Sequence, residues 1–208
     1  MIVAIEGASA AGKTTWCRTH APHTHVPEPQ EDIAAPDLFA DPSNVARFWV
    51  TRAVERWQSA LNIEREHGVA ICDGDPLKLY YSWALWKCGV LSSQLFDIES
   101  GLYTEVIAKQ QIGFVDAVLW LETPIDELRR RKQADSTRRR RRHEMHLSLV
   151  PWMKVWFEAR ERVLPATVST LKIDHRLEAI PASSSQRRYD PGVLRELTVS
   201  LASLAASH

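Results

Sequence analysis

Apolar positions in this chain fall into two kinds of run. Ile2-Val3-Ala4-Ile5, Val69-Ala70-Ile71-Cys72 and Ala117-Val118-Leu119-Trp120-Leu121 are unbroken blocks. They are too short for helices and suit strands buried on both faces. Thr24-His25-Val26-Pro27 is a weaker block, and Val168 to Ile173 is a last one. Between them lie stretches without interior breakers that predict helices over 13–20, 45–67, 77–87, 102–111, 125–132 and 150–163. A closing helix is predicted over 192–206, after the linker Ser183-Ser184-Ser185. Strands that alternate with helices predict an α/β fold of three layers, α/β/α, around a five-stranded parallel sheet. The expected organisation is one domain over 1–182, with 183–208 a linker and helix packed on it. No internal repeat is present. Ligands of such sheets bind at the carboxyl ends of the strands. Here those ends read Glu6-Gly7, Glu28, Asp73 with Asp75, Glu122 and Asp174, a row of carboxylates along one edge.

The turn after the first strand gives that edge its chemistry. Gly7-Ala8-Ser9-Ala10-Ala11-Gly12-Lys13-Thr14 fits G-x-x-x-x-G-K-[ST], the phosphate-binding loop, and Thr15 continues into the helix. Backbone N–H groups of such a loop point at phosphate oxygens, and the helix N-terminus adds a favourable partial charge. Lys13 reaches the outer phosphates and the Thr14 hydroxyl ligates Mg²⁺. The motif implies ATP or another nucleoside triphosphate with Mg²⁺; it does not name a second substrate. Asp73 is placed to hold the metal directly or through water, whereas Asp75, just before Pro76, is the more natural turn cap. Glu28 is a candidate base for an acceptor hydroxyl or else a surface loop glutamate.

Arginine is concentrated in one segment. Arg129-Arg130-Arg131-Lys132 is followed by Arg138 to Arg142, His143 and Glu144. Consecutive arginines cannot share one helix face, so some are solvated. Arg138, Arg140 and Arg142 are the candidates to clamp a transferring phosphoryl group from a lid over about 132–146. A solvated helix face and a basic patch for nucleic acid are the competing meanings. The aromatics Phe48, Trp49, Trp57, Tyr80, Tyr81, Trp83 and Trp86 are core residues or the wall of a pocket for a flat ring. Trp49, Arg52, Asp75 and Tyr80 are the candidate acceptor contacts, with Arg52 on the helix face of Trp49.

Composition narrows the classes. The chain has 208 residues and is 45% hydrophobic, enough for one substantial core. Its formal net charge is zero, so there is no overall pull towards polyanions. Three scattered cysteines, Cys17, Cys72 and Cys88, suit a reducing compartment. A strand from residue 2 leaves no room for a signal peptide, and no apolar run approaches the ~20 residues of a membrane span. The expectation is a cytoplasmic enzyme with a small-molecule partner, acting without membrane or nucleic acid; a homodimer is left open.

These segments resemble a family. Ile5-Glu6-Gly7 through Lys13-Thr14-Thr15 is similar to the opening of thymidylate kinases, and Val26-Pro27-Glu28-Pro29 resembles the V-P-E-P segment of deoxynucleoside kinases. The resemblance implies a P-loop kinase fold with an Arg-rich lid and gives Glu28 the role of base for a sugar 5′-hydroxyl. Phe48-Trp49-Val50-Thr51-Arg52 falls on the acceptor-binding helix, and Asp73 on the acidic residue of an Asp/Glu-Arg motif. Leu171-Lys172-Ile173-Asp174 resembles the last strand, which implies that Asp174 borders the adenine site. The likeness spans about residues 1 to 175. One position departs: Gly74 follows Asp73 where the family has arginine, so a lid arginine or Arg52 is expected to replace it, or the acceptor differs. The function implied is transfer of the γ-phosphoryl group of ATP to a hydroxyl or phosphate of a nucleoside or nucleotide. An antibiotic or other small-molecule phosphotransferase shares the scaffold, and a nucleic-acid-associated regulatory NTPase is the alternative from another class.

Overall fold

The computed structural model of the chain describes residues 1–29, 35–134, 142–172 and 186–206. Its elements run β1 Ile2–Glu6, α1 Lys13–His20, β2 His25–Val26, α2 Pro42–His67, β3 Ala70–Asp73, α3 Leu79–Lys87 and α4 Gln94–Ala108. They continue with β4 Ala117–Leu121, α5 Ile125–Ala134, α6 His143–Ser148, α7 Val150–Val163, β5 Val168–Leu171 and α8 Gly192–Ala205. The five strands form one sheet in the order β2-β3-β1-β4-β5, and every pairing is parallel.

The unbroken apolar blocks of β1, β3 and β4 are explained by helices on both faces. Alternate side chains of a strand point to opposite sides. Ile2 and Ala4 of β1, Cys72 of β3, and Val118 and Trp120 of β4 join a core with α2, α3, α4, α7 and α8. Val3 and Ile5, Ile71, and Leu119 and Leu121 join a second core with α1 and α5, through Trp16, Cys17 and Leu128. The closing helix packs on the first core through Val193, Leu194, Leu197, Leu201 and Leu204. The serine linker lies outside the described residues.

Three elements differ from the sequence expectation. Helix α2 begins at Pro42 rather than 45, because the Asp41 carboxylate accepts from the Asn44 N–H at 3.0 Å and Pro42 suits the first turn. Helix α4 begins at Gln94 rather than 102 and runs through Gly101, whose missing side chain faces open space. Part of the segment read as a charged lid is the short helix α6. Among the described residues no helix is long and apolar enough to cross a membrane.

Candidate active site

The register of the parallel sheet decides which residues meet at its carboxyl edge. Ile5 of β1 stands opposite Asp73 of β3, and Val26 of β2 opposite Cys72. The phosphate loop leaves β1 at Gly7, with φ 148°. A Cβ there would lie 2.8 Å from the Leu121 carbonyl oxygen, so the loop passes β4 only with glycine at this point. Ala8, Ala10 and Ala11 are buried, which anchors the loop against the second core, whereas Thr15 is exposed on α1. The Lys13 ammonium donates to the Gly7 and Ala8 carbonyls at 2.8 and 3.1 Å and so lies across the loop. From the same layer, Arg131 of α5 donates to the Ala11 carbonyl at 2.6 Å while paired with Glu127. That contact braces the loop from outside.

The metal-ligand expectation has a geometric counterpart. The Thr14 hydroxyl donates to Asp73 Oδ2 at 2.6 Å. Asp73 is 1% exposed, and its Oδ1 is buried without a hydrogen-bond partner among the described residues. An orphaned carboxylate oxygen beside a hydroxyl and a phosphate loop fits a hard cation such as Mg²⁺, which takes few protein oxygens and relies on phosphate and water for the rest.

Glu28 follows the end of β2 on the opposite side of the cleft. Its carboxylate is hydrogen-bonded and ion-paired by the Lys78 ammonium, the side chains being 31% and 34% exposed. Burial pushes the Glu28 carboxyl up, but Lys78, Lys13 and Arg56 outweigh it and hold the group down to about 2. The backbone beneath is fixed by Arg56 of α2, itself 6% exposed. Its guanidinium donates to the Pro27 carbonyl at 3.0 Å, to the Val26 carbonyl and to the Asp73 carbonyl, tying the ends of β2 and β3 together. Glu6, at the end of β1, is 1% exposed and accepts from the Asp75 N–H at 2.6 Å and the Tyr80 hydroxyl at 2.8 Å.

The remaining predicted residues divide. Asp75 and Tyr80, expected at the acceptor, turn inward. Asp75 is 2% exposed, accepts from the Leu77 N–H at 3.0 Å and faces Arg160 at 3.7 Å. Burial raises its carboxyl to about 6 against the pull of Arg160. Tyr80 packs on Phe157 and spends its hydroxyl on Glu6. Both therefore support the strand ends from below. Arg52 pairs with Glu55 at 2.9 Å and lies over the Phe48 ring. Trp49, beside it, is an exposed aromatic on α2. Arg142 caps α6 at φ 58°, faces Asp37 at 3.6 Å and covers the Phe39 ring, joining the lid side to segment 35–40. Arg138, Arg140 and Asp174 lie outside the described residues. Trp57 and Trp83 are core.

Sequence reasoning missed Lys78, Arg56 and the pair Tyr81–His146. Tyr81 stacks on His146 of α6 at 5.8 Å, with hydroxyl and Nδ1 3.4 Å apart. Burial, with the neighbouring cations, lowers the His146 pKa. Arg56 had one available signal, its place four residues after Arg52 on a helix otherwise apolar on that face. Lys78 had none, because its spacing from Glu28 matches no local pattern.

No family model and no curated protein sequence matches this chain. Solved structures do. A deoxyadenosine kinase from M. mycoides with bound dATP aligns with a TM-score of 0.60 at 15% identity, covering 98% of this chain and 99% of that one. The same enzyme with bound dCTP gives 0.52 at 14% identity over 98% and 100%. A thymidylate kinase from Candida albicans gives 0.55 at 12% identity over 98% and 92%. At such identities the likeness establishes the fold: this is the three-layer α/β/α architecture of the P-loop kinases.

Proposed function

We propose that this chain is a kinase that transfers the γ-phosphoryl group of ATP to a hydroxyl of a nucleoside, deoxynucleosides first. The observation that carries this reading is Glu28. A carboxylate just past the end of β2, ion-paired with Lys78 at the sheet edge that carries the phosphate loop, can take a proton from an acceptor hydroxyl. An acceptor phosphate is already ionised and needs no such base, so Glu28 favours a nucleoside over a nucleotide. The fold shared with a deoxyadenosine kinase supports the same class of acceptor.

In this mechanism the loop from Gly7 to Thr14 binds the triphosphate through its N–H groups and Lys13 neutralises its outer phosphates. Thr14 and Asp73 would hold Mg²⁺, which when bound would offset the charge of the phosphates. Glu28 takes the acceptor's proton as the acceptor oxygen bonds to phosphorus and ADP leaves. Arg56 keeps Glu28 and Asp73 in register by fixing both strand ends. A cytoplasmic setting suits the need for ATP and the unpaired thiols of Cys17, Cys72 and Cys88.

The test is ADP release from ATP and Mg²⁺ over a panel of the four deoxynucleosides, their monophosphates and hydroxylated antibiotics. Turnover of deoxynucleosides is expected. Turnover of monophosphates alone would move the acceptor to nucleotides, and turnover of antibiotics alone would move it to another class.

A further inference from the structure

We propose that Lys78 is the positioning residue for Glu28, holding the carboxylate aimed at the acceptor before transfer and turning to the new phosphate afterwards. This rests on the reading of Glu28 as base. Three observations carry it.

The first is how the cations near Glu28 are used. Lys13 directs its ammonium to the Gly7 and Ala8 carbonyls, and Arg56 directs its guanidinium to the carbonyls of Pro27, Val26 and Asp73. Lys78 directs its ammonium to the carboxylate itself.

The second is Gly74. It has φ 80°, and a Cβ built on it would lie 3.4 Å from Glu6 Oε1 and 3.9 Å from Lys78 Cε. The lysine stem therefore passes over the one position at this strand end that has no side chain. A long side chain at 74 would contest that space, so Gly74 and Lys78 act together, and the cation missing after Asp73 is delivered from four residues further along.

The third is the anchoring of the stem's base. Lys78 is the N-cap residue of α3; its carbonyl accepts from the Tyr81 N–H at 2.9 Å, and Tyr103, 1% exposed, is hydrogen-bonded to its backbone. A lysine rooted at a fixed helix start, with its side chain two-thirds covered, loses less freedom on pairing than a free surface lysine does.

The acceptor O–H gives its proton to the Glu28 carboxylate, which becomes a neutral acid. The acceptor oxygen forms its bond to the γ-phosphorus while the bond from that phosphorus to the bridging oxygen breaks, and ADP keeps the electron pair. Lys78 then faces a neutral acid and an adjacent phosphate dianion, and its charge is free for the latter. Among the described residues, the other groups near Glu28 are Lys13 of α1, Arg56 of α2, Tyr80 and Tyr81 of α3 and His146 of α6. Of these, only His146 has an ordinary pKa near neutrality, and burial holds it lower still.

The experiment compares the parent with Lys78→Met and Lys78→Arg, each checked by circular dichroism. Titration of the Glu28 carboxyl is followed by ¹³C NMR of glutamate-labelled protein, assigned with Glu28→Gln. In the parent the Glu28 resonance should stay ionised down to about pH 4, and in Lys78→Met it should titrate at least ~1 unit higher than in the parent. With ATP, Mg²⁺ and the deoxynucleoside panel, Lys78→Met should lower kcat at least ~10-fold, leave KM for ATP within about twofold, and raise the acid limb of the kcat profile. Lys78→Arg should restore most of both. An unshifted Glu28 titration in Lys78→Met overturns the proposal, whatever the chain phosphorylates. A shifted titration in a parent that phosphorylates no deoxynucleoside supports the Lys78–Glu28 arrangement and overturns the assigned acceptor.

Discussion

On one side of the cleft, the continuous stretch from Gly7 to Thr14 supplies loop, ammonium and hydroxyl. On the other, Glu28 depends on Lys78, 50 residues away, and on Arg56, which reaches β2 from 29 residues along the chain and β3 from 17. The loop itself is one continuous stretch between a strand and a helix, to which β3 adds Asp73 and α5 adds Arg131. The acceptor side exists only once β2, α2, β3 and α3 have been brought to one corner. A corner assembled from four elements transmits any shift among them to Glu28. The loop side is therefore the more local half of the site, and the Glu28 side the one that depends more on tertiary packing.

The predictions sharpen that contrast, the largest first. Lys13→Ala should abolish phosphoryl transfer while circular dichroism and melting temperature stay close to the parent, because Lys13 contacts the loop and not the core. Near-normal turnover in that variant would remove the assignment of the loop. On the acceptor side, Glu28→Gln should lower kcat by about 10²- to 10⁴-fold, with ATP affinity little changed. Asp73→Asn should instead show a loss that excess Mg²⁺ partly repairs, which a Mg²⁺ titration of both variants will reveal. If Glu28→Gln is fully active and Asp73→Asn is dead at every Mg²⁺ concentration, the roles are exchanged.

Arg56→Met tests whether the corner is one unit. It leaves up to three buried carbonyls without their donor, at about 1–3 kcal/mol for each group left unsatisfied. Both the melting temperature and kcat should fall, whereas nucleotide affinity in a binding assay should fall much less. Equal loss of binding and kcat would show that the two halves are not separable.

The smallest effect concerns a carboxyl away from the cleft. Glu99 of α4 is 6% exposed, and burial raises its pKa to about 7, with a hydrogen bond from Ser82 pulling the other way. A carboxyl raised on folding contributes stability that is fully present below its unfolded value, the ordinary 4.5, and is lost as pH rises towards about 7. Thermal melts should show the parent losing stability over that window. Glu99→Gln should flatten the profile and leave the variant the more stable of the two at pH 8. Parallel profiles would mean that Glu99 does not titrate in this window.

Much of this was legible because it is local. The apolar blocks named β1, β3 and β4, since strands covered on both faces need no alternation, and the glycine loop named its own neighbours. Helix α7 was readable to the residue from its flanking elements, as was α1 between Gly12 and Ala21. Helix α4 was less so: Gly101 reads as a break in sequence, and only its position on an open face makes it harmless. Asp75 and Tyr80 looked available to a ligand because burial is not written in a residue's neighbours; the packing of α3 and α7 turned both inward.

The sequence by itself determined the strand–loop–helix unit that fits the phosphate-binding motif, the parallel α/β class, and the presence of Glu28 and Asp73 at strand ends. These follow from spacing within a few residues, which chain connectivity enforces. Tertiary structure alone decided that Lys78 reaches over Gly74 to Glu28 and that Arg56 joins two strand ends. Those contacts join residues separated by many turns of chain, and a side chain's reach across such a gap is set by the register of the sheet and the docking of helices on it.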